Sequence, residues 1–311
     1  MPIEKNLQQL FEDYVNQSRY MARLSPETIR GYTAVFELFL SLMPEVTKVE
    51  LLTVEMLTEF FKRLQTRERL VGRDTIKVGV KNSTIRTYMS KLHSFFEWLA
   101  LKGITQDNPL RHIKQPELSY DDQRALSETD VRKLYTATHV HAYSQLVLRR
   151  DITMISLLVF CGLRLGEFIS LEVRDIDFEK QLLTVRGQTS KSKRTRHIPI
   201  HPTLALHLRD YIAERKRKRY TTHFLIVSVI GDRELSKEGL KHWVKQLRRK
   251  SGVRFHLHQL RHTFACNLAQ NNVNAVKIQR LLGHSSLNMT MTYLRSLNTE
   301  DMQEDIARLS I

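Results

Sequence analysis

Two cysteines in 311 residues are too few for a disulfide scaffold. Cys161 and Cys266 both sit in apolar helical contexts, Leu157-Leu158-Val159-Phe160-Cys161 and Phe264-Ala265-Cys266, which predicts buried free thiols. No run of 18 apolar residues occurs, so no membrane-spanning helix is expected. The N-terminal stretch carries Glu4, Glu12 and Asp13 and lacks a continuous apolar segment of the secretory kind, which points to a cytoplasmic protein. Internal repeats and low-complexity tracts are missing too. His256, His258 and His262 lie close together, but no Cys, Asp or Glu falls among them and their spacing matches no common zinc pattern. The expectation is therefore no metal and no other cofactor.

What the chain does have is positive charge. Its formal charge is +16 and its pI about 9.9, with 41% hydrophobic and 26% charged residues, ordinary values for a globular protein. Residues 1–60 hold nine acidic and five basic residues, a net of −4, which leaves +20 on the other 251. A field of that sign favours a polyanion, nucleic acid before a membrane surface, since no basic amphipathic stretch adjoins an apolar anchor.

The pattern is mainly α with a small antiparallel β-sheet. Ser25-Pro26-Glu27 starts one helix, Thr53 caps a second, and Ser83 is the expected cap of a third running through Ile85, Tyr88, Leu92, Phe95, Phe96 and Leu99. Residues 67–80, polar with two glycines, read as a loop. Breakers at Asn108-Pro109 and Pro116 and the polar run to Arg124 predict a helical domain over 1–113, a linker over 114–125 and a second domain over 126–311. In that second domain an apolar segment at 151–161 suits a central helix. Short strands are expected at 176–178, 182–185 and 197–200, with helices at 202–217, 236–250, 259–271, 274–282 and 286–296 and a last one near 300–309.

Six residues carry candidate chemistry. Arg164 lies between apolar runs, where a planar guanidinium must be repaid by partners and can hold a phosphate. The loop from Arg186 to Arg196 has no acid and offers Lys191 or Lys193 as a proton donor. A helix starting near Gln259 would place His258 at its mouth, as a cap or an anion ligand, and Arg261 in its first turn. His284 follows a helix-ending glycine. Tyr293 is a core residue by ordinary expectation, and a nucleophile only if nearby cations make its phenol reactive. The runs Arg215–Arg219 and Lys245 to Lys250 read as phosphate-contacting or solvated faces.

In order along the chain, Gly162-Leu163-Arg164-x-x-Glu167, a lysine hairpin ending in Ile198-Pro199-Ile200, His258-x-Leu260-Arg261-His262-x-Phe264-Ala265 and Ile278-Gln279-x-Leu281-Leu282-Gly283-His284-Ser285-Ser286 continuing to Tyr293 closely resemble the tyrosine recombinases, the phage-integrase and Xer-like enzymes. The match covers about 126–296. The resemblance implies a SAM-like helical core-binding domain at the N-terminus, clamping DNA, and a catalytic domain after the linker. It implies that Arg164 and Arg261 clamp the scissile phosphate and that Lys191, eight residues before Pro199, protonates the leaving 5′-oxygen. It makes His258 the proton acceptor, His284 a further cationic or hydrogen-bonding group, Glu167 a supporting residue and Tyr293 the nucleophile of a 3′-phosphotyrosyl bond. Ser190 and Ser192 stand where glycines usually flank the lysine.

The implied reaction is two rounds of transesterification through a Holliday junction, with no ATP and no metal. The implied partners are duplex DNA with paired half-sites and a homo-tetramer on two such sites, a second recombinase or accessory protein being the open alternative. The tail Asp301–Leu309 has an apolar set suited to exchange between protomers or to folding back in cis. With about 110 residues before the linker, a separate arm-type DNA-binding domain has little room, which favours an Xer-like or mobile-element enzyme acting at the nucleoid. The competing expectations are a type IB topoisomerase and a catalytically silent DNA-binding architectural protein.

Overall fold

The computed structural model describes residues 5–72, 74–117, 125–190 and 193–294, apart from the side chains of Asn288 and 292–294. The chain divides into two compact units, Met1–Tyr120 and Asp121–Ile311. Of the expected linker at 114–125, residues 118–124 lie outside the described residues, as does the expected helix near 300–309.

The first unit holds α1 (Leu7–Tyr20), α2 (Pro26–Leu42), α3 (Val54–Thr66) and α4 (Asn82–Leu101). Three starts are written locally. Asn6 and Gln9 form a capping box on α1, Ser25 accepts from the Thr28 N–H ahead of α2, and Thr53 accepts from the Met56 N–H ahead of α3. The apolar stripes meet in an aromatic core. Phe11 stacks on Phe36 at 3.8 Å between centroids, and Phe95 sets its edge against both at 5.2 and 5.4 Å.

Two expectations fail in this unit. Ser83 does not cap α4: the helix starts at Asn82, with Lys81 in the cap position, because the Lys81 carbonyl already accepts from the Thr84 and Ile85 N–H groups. Residues 67–80 are not a loop but an antiparallel ribbon of β1 (Glu68–Val71) and β2 (Thr75–Val78), with Leu70 opposite Ile76 and Arg69 opposite Lys77. Leu70 and Ile76 are 67% and 65% exposed, so the short alternation Thr75-Ile76-Lys77-Val78 lines no buried face, and the glycines and charges around it mask it in the sequence.

The second unit holds α5 (Glu128–His141), α6 (Gln145–Cys161), α7 (Leu165–Ile169), β3 (Ile176–Asp177), β4 (Leu182–Val185), β5 (Arg196–Pro199), α8 (Pro202–Arg217), α9 (Lys237–Ser251), α10 (Leu257–Gln270), α11 (Ala275–Leu282) and α12 (Leu287–Leu294). Helix α6 is the central one. Every side chain from Ile152 to Val159 is buried, as a continuous rather than periodic apolar run requires. The sheet is antiparallel in the order β3-β4-β5, pairing Ile176 with Leu183, Leu183 with Ile198 and Val185 with Arg196. Its period of two turns Leu183, Val185, Ile198 and, with them, Arg196 toward the interior. Both cysteines are buried as thiols, and Cys266 Sγ lies 3.4 Å from His262 Nε2. The architecture of the described residues is thus mainly α-helical with a small antiparallel sheet, and none of their helices is long and apolar enough to cross a membrane.

Candidate active site

The site is built on the C-terminal end of α11. Gly283 takes φ +64°, and the chain closes in a Schellman turn in which the Gly283 N–H donates to the Arg280 carbonyl and the His284 N–H to that of Gln279. The turn leaves the carbonyls of Leu281, Leu282 and Gly283 pointing outward at the negative end of a helix. Three guanidinium groups converge on them. Arg196 Nε donates to Leu281 O at 2.7 Å, Arg261 Nη2 to Leu282 O at 2.7 Å, and Arg164 to Leu282 O at 3.3 Å and Gly283 O at 3.1 Å.

Each arginine arrives from a different element. Arg164 sits just after the Gly162 that ends α6 and just before α7, partly buried with its side chain 22% exposed. Arg261 lies in α10 and is 1% exposed, its Nη1 donating to the Gly162 carbonyl at 2.6 Å. Gly162 has φ +55°, and a Cβ there would stand 2.4 Å from Phe264 Cδ1, so both conformation and space demand glycine. Arg196 opens β5.

Glu167 is the carboxylate of the cluster. Nearly fully buried, it accepts from the Arg164 main-chain N–H at 2.9 Å, Arg164 Nη1 at 3.0 Å, Ser190 Oγ at 3.2 Å and the fork of Arg196 at 3.0 and 2.8 Å. Burial pushes its pKa up, but the Arg196 hydrogen bonds and charge, then Arg164, outweigh it and hold the carboxyl at about 2.

His284 is buried against this positive field. Its Nε2 lies 2.9 Å from Arg261 Nη2 and its Nδ1 2.9 Å from Thr290 Oγ1. A guanidinium only donates, so Nε2 accepts, and the ring carries its proton on Nδ1, toward Thr290. Desolvation first, then the charges of Arg261, Arg164 and Arg196, lower its pKa to about 4. His258 stays exposed at the surface, yet partial desolvation of the ring and the charges of Arg261, His256, His262 and Arg164 also lower its pKa.

The structure brings Arg164, Arg261 and His284 into direct contact with one another or with the same carbonyls, and sets His258 beside them. Tyr293 falls in the last turn of α12, its side chain outside the described residues, and Lys191 lies outside them altogether. The helix carrying His258 begins at Leu257, not Gln259. His256 caps it, its Nδ1 accepting from the Gln259 N–H at 3.0 Å, so His258 is not the cap and Arg261 lies just past the first turn.

Three corrections concern the basic residues. Arg215 is no solvated cation: it is 3% exposed and donates to the carbonyls of Leu225 and Thr222 at 2.9 and 2.7 Å. Arg186 and Arg196, the two ends of the acid-free loop, are also tied inward, Arg186 to Glu172, Asp175 and the Ser170 carbonyl and Arg196 to Glu167. The exposed cations that remain described in that loop are Lys193, at φ +52°, and Arg194. Reading the chain missed Arg196 and Thr290 as parts of the cluster. The signal for Arg196 was its place two residues before Ile198 on an inward-facing strand.

The described residues thus gather three arginines on one carboxylate and a helix end, beside a buried histidine, in a mainly helical and strongly basic protein. The family model of the phage integrase family matches residues 124–300, and the chain belongs to that family, the tyrosine recombinases. It is similar to a tyrosine recombinase of Pseudothermotoga lettingae, 30% identical over 296 residues covering 94% of each chain. Among solved structures it resembles the Tn1549 transposon integrase in complex with transposon right end DNA, at 18% identity and a TM-score of 0.74 over 97% of this chain and 99% of that one. It also resembles the XerH site-specific recombinase bound to a palindromic difH substrate, at 20% identity and a TM-score of 0.70 over 96% of this chain and 83% of that one.

Proposed function

We propose that the protein is a site-specific recombinase that breaks and rejoins duplex DNA through a 3′-phosphotyrosyl ester on Tyr293. The observation that carries this reading is the convergence of Arg164, Arg261 and His284 at the end of α11, a positive cluster beside two histidines that desolvation first and the arginine charges second hold below their usual pKa. Such a field, fixed before substrate arrives, stabilises the extra negative charge that builds on a phosphate under attack.

The residues divide the reaction as follows. Arg164 and Arg261 hold the non-bridging oxygens, and the tyrosine oxygen of Tyr293 attacks phosphorus. His258, neutral and solvent-facing, takes the phenol proton. Lys191 gives a proton to the departing 5′-oxygen as the P–O bond to it breaks. His284 adds a hydrogen bond at the phosphate once its ring leaves Arg261 and its proton moves from Nδ1 to Nε2, the nitrogen that then donates. The ester keeps the phosphodiester's energy, so ATP has no role. A 5′-hydroxyl from the partner duplex then attacks phosphorus, displaces Tyr293 and forms the Holliday junction, and a second round resolves it. Duplex DNA with paired half-sites is the substrate, four protomers acting on two sites. The helical first unit serves as the core-binding clamp. The setting is the nucleoid in the cytoplasm.

Genomic fragments retained by the protein identify the core site, and a nicked suicide substrate carrying it then traps the intermediate. A covalent adduct with the wild type, mapped to Tyr293 and lost in Tyr293→Phe, is the expected result. An adduct that survives in Tyr293→Phe overturns the assignment.

A further inference from the structure

Arg196 sits where the two halves of the site meet. From the first residue of β5 its guanidinium makes a two-pronged pair with Glu167, at 3.0 and 2.8 Å, while Nε reaches Leu281 O at 2.7 Å. One planar group therefore ties the α7 start, which carries Arg164, to the α11 end, which carries His284. Its side chain is 8% exposed, out of reach of a bulky substrate. Gly283 makes room for it: a Cβ there would lie 3.0 Å from Arg196 Nη1 and 3.2 Å from Cδ. Burying such a pair is a poor way to gain stability, since desolvation offsets most of the attraction and well-packed apolar groups do as well. What a fork of fixed geometry supplies is orientation.

Resting on the recombinase reading, we propose that Arg196 is a positioning residue for DNA cleavage. It locks the Glu167 carboxylate and the α11 terminus in one frame, so that Arg164 and His284 meet the scissile phosphate together. Lysine at this position has a point charge that reaches Glu167 or Leu281 O but not both. The groups facing Glu167 are Arg164 from the start of α7, Ser190 from the loop before β5 and Arg196 from β5. Without Arg196, burial gains on the remaining partners and the Glu167 carboxyl rises from its depressed value.

The test measures single-turnover cleavage, DNA affinity and melting for the full chain, Arg196→Lys and Arg196→Met on the suicide substrate. The expected result for Arg196→Lys is an unchanged affinity and fold with cleavage slower by about tenfold to a hundredfold, the scale of a small misplacement of reacting groups. The variant's rate should also fall at mildly acidic pH more steeply than the wild type's, because Glu167 then takes a proton. Wild-type rates and pH profiles in both variants overturn the proposal. So does a loss of rate that simply tracks loss of melting temperature and affinity in both, which marks a structural role. A wild type that forms no adduct on its verified site fails the recombinase reading instead.

Discussion

Glu167 and His284 titrate in different windows, and each leaves its own mark on stability. Glu167 falls to about 2 in the fold, against about 4.3 unfolded. Its contribution, about 3 kcal/mol, is complete above pH 4.3 and disappears as pH drops toward 2. His284 is also depressed, to about 4, but a histidine takes up a proton in the unfolded chain first. Between about pH 6.5 and 4 the unfolded state thus binds more protons, and stability falls as the medium is acidified through that window. Urea midpoints followed from pH 7 to pH 2 should show both limbs in the wild type, with Glu167→Gln shrinking the lower one, to which other depressed carboxylates such as Glu172 and Glu214 also contribute. Nitrogen NMR of the histidine rings should find His284 neutral and protonated on Nδ1 at about pH 6, and the preference should persist in Thr290→Val, because Arg261 Nη2 still makes Nε2 the acceptor. Most of this was legible beforehand: Arg164, Glu167, Arg261 and His284 stand in ordered motifs. Their wiring was not, because hydrogen bonds over more than a hundred residues of separation, such as Arg164 to Leu282, leave no local trace. His256 was overlooked as a cap since imidazole is not among the usual capping side chains.

Helix ends do the placing, and their glycines separate conformation from contact. Gly103, after α4, has φ +68° with nothing within 4 Å of the place a Cβ would take, whereas Gly162, after α6, has φ +55° and Phe264 at 2.4 Å. Alanine at Gly103 should therefore cost about 1 kcal/mol, the left-handed penalty alone. Alanine at Gly162 should cost about 2–4 kcal/mol, since Phe264 must move within a packed core. It should also slow DNA cleavage, because the Gly162 carbonyl that holds Arg261 Nη1 moves with it. Thermal melting of the two variants side by side, with adduct yield on the suicide substrate, checks both parts. Equal destabilisation with normal cleavage would show that the contact is unimportant. The same scale explains the missed ribbon. Helices α2 and α6 declare themselves through caps and long apolar stretches, but β1 and β2 are four residues each and bury none of them fully. Strands of that kind are specified by pairing, which a linear pattern does not display.

The whole molecule's positive charge is two populations of cations with different work. Arg186, Arg196, Arg215 and Arg261 are tied internally to carboxylates and carbonyls, so they shape the fold and its site without building the outer field. Lys245, Arg248, Arg249 and Lys250 on α9 are exposed, and so are Lys193 and Arg194. If the exposed α9 cations meet DNA phosphates, each one removed releases about one fewer counterion, and the slope of log K against log salt should flatten by about 0.9 per residue. Replacing Arg248 and Arg249 with glutamine should thus weaken binding on cognate and random duplexes alike and leave melting unchanged. Arg215→Gln should do the reverse. It strands the Leu225 and Thr222 carbonyls, which should cost about 1–3 kcal/mol of stability, while the salt slope stays at the wild-type value. Fluorescence anisotropy over a salt series, paired with urea unfolding, reads both quantities on the same preparations. A flattened slope for Arg215→Gln would mean that a buried arginine feeds the DNA-binding field and that the two populations are one.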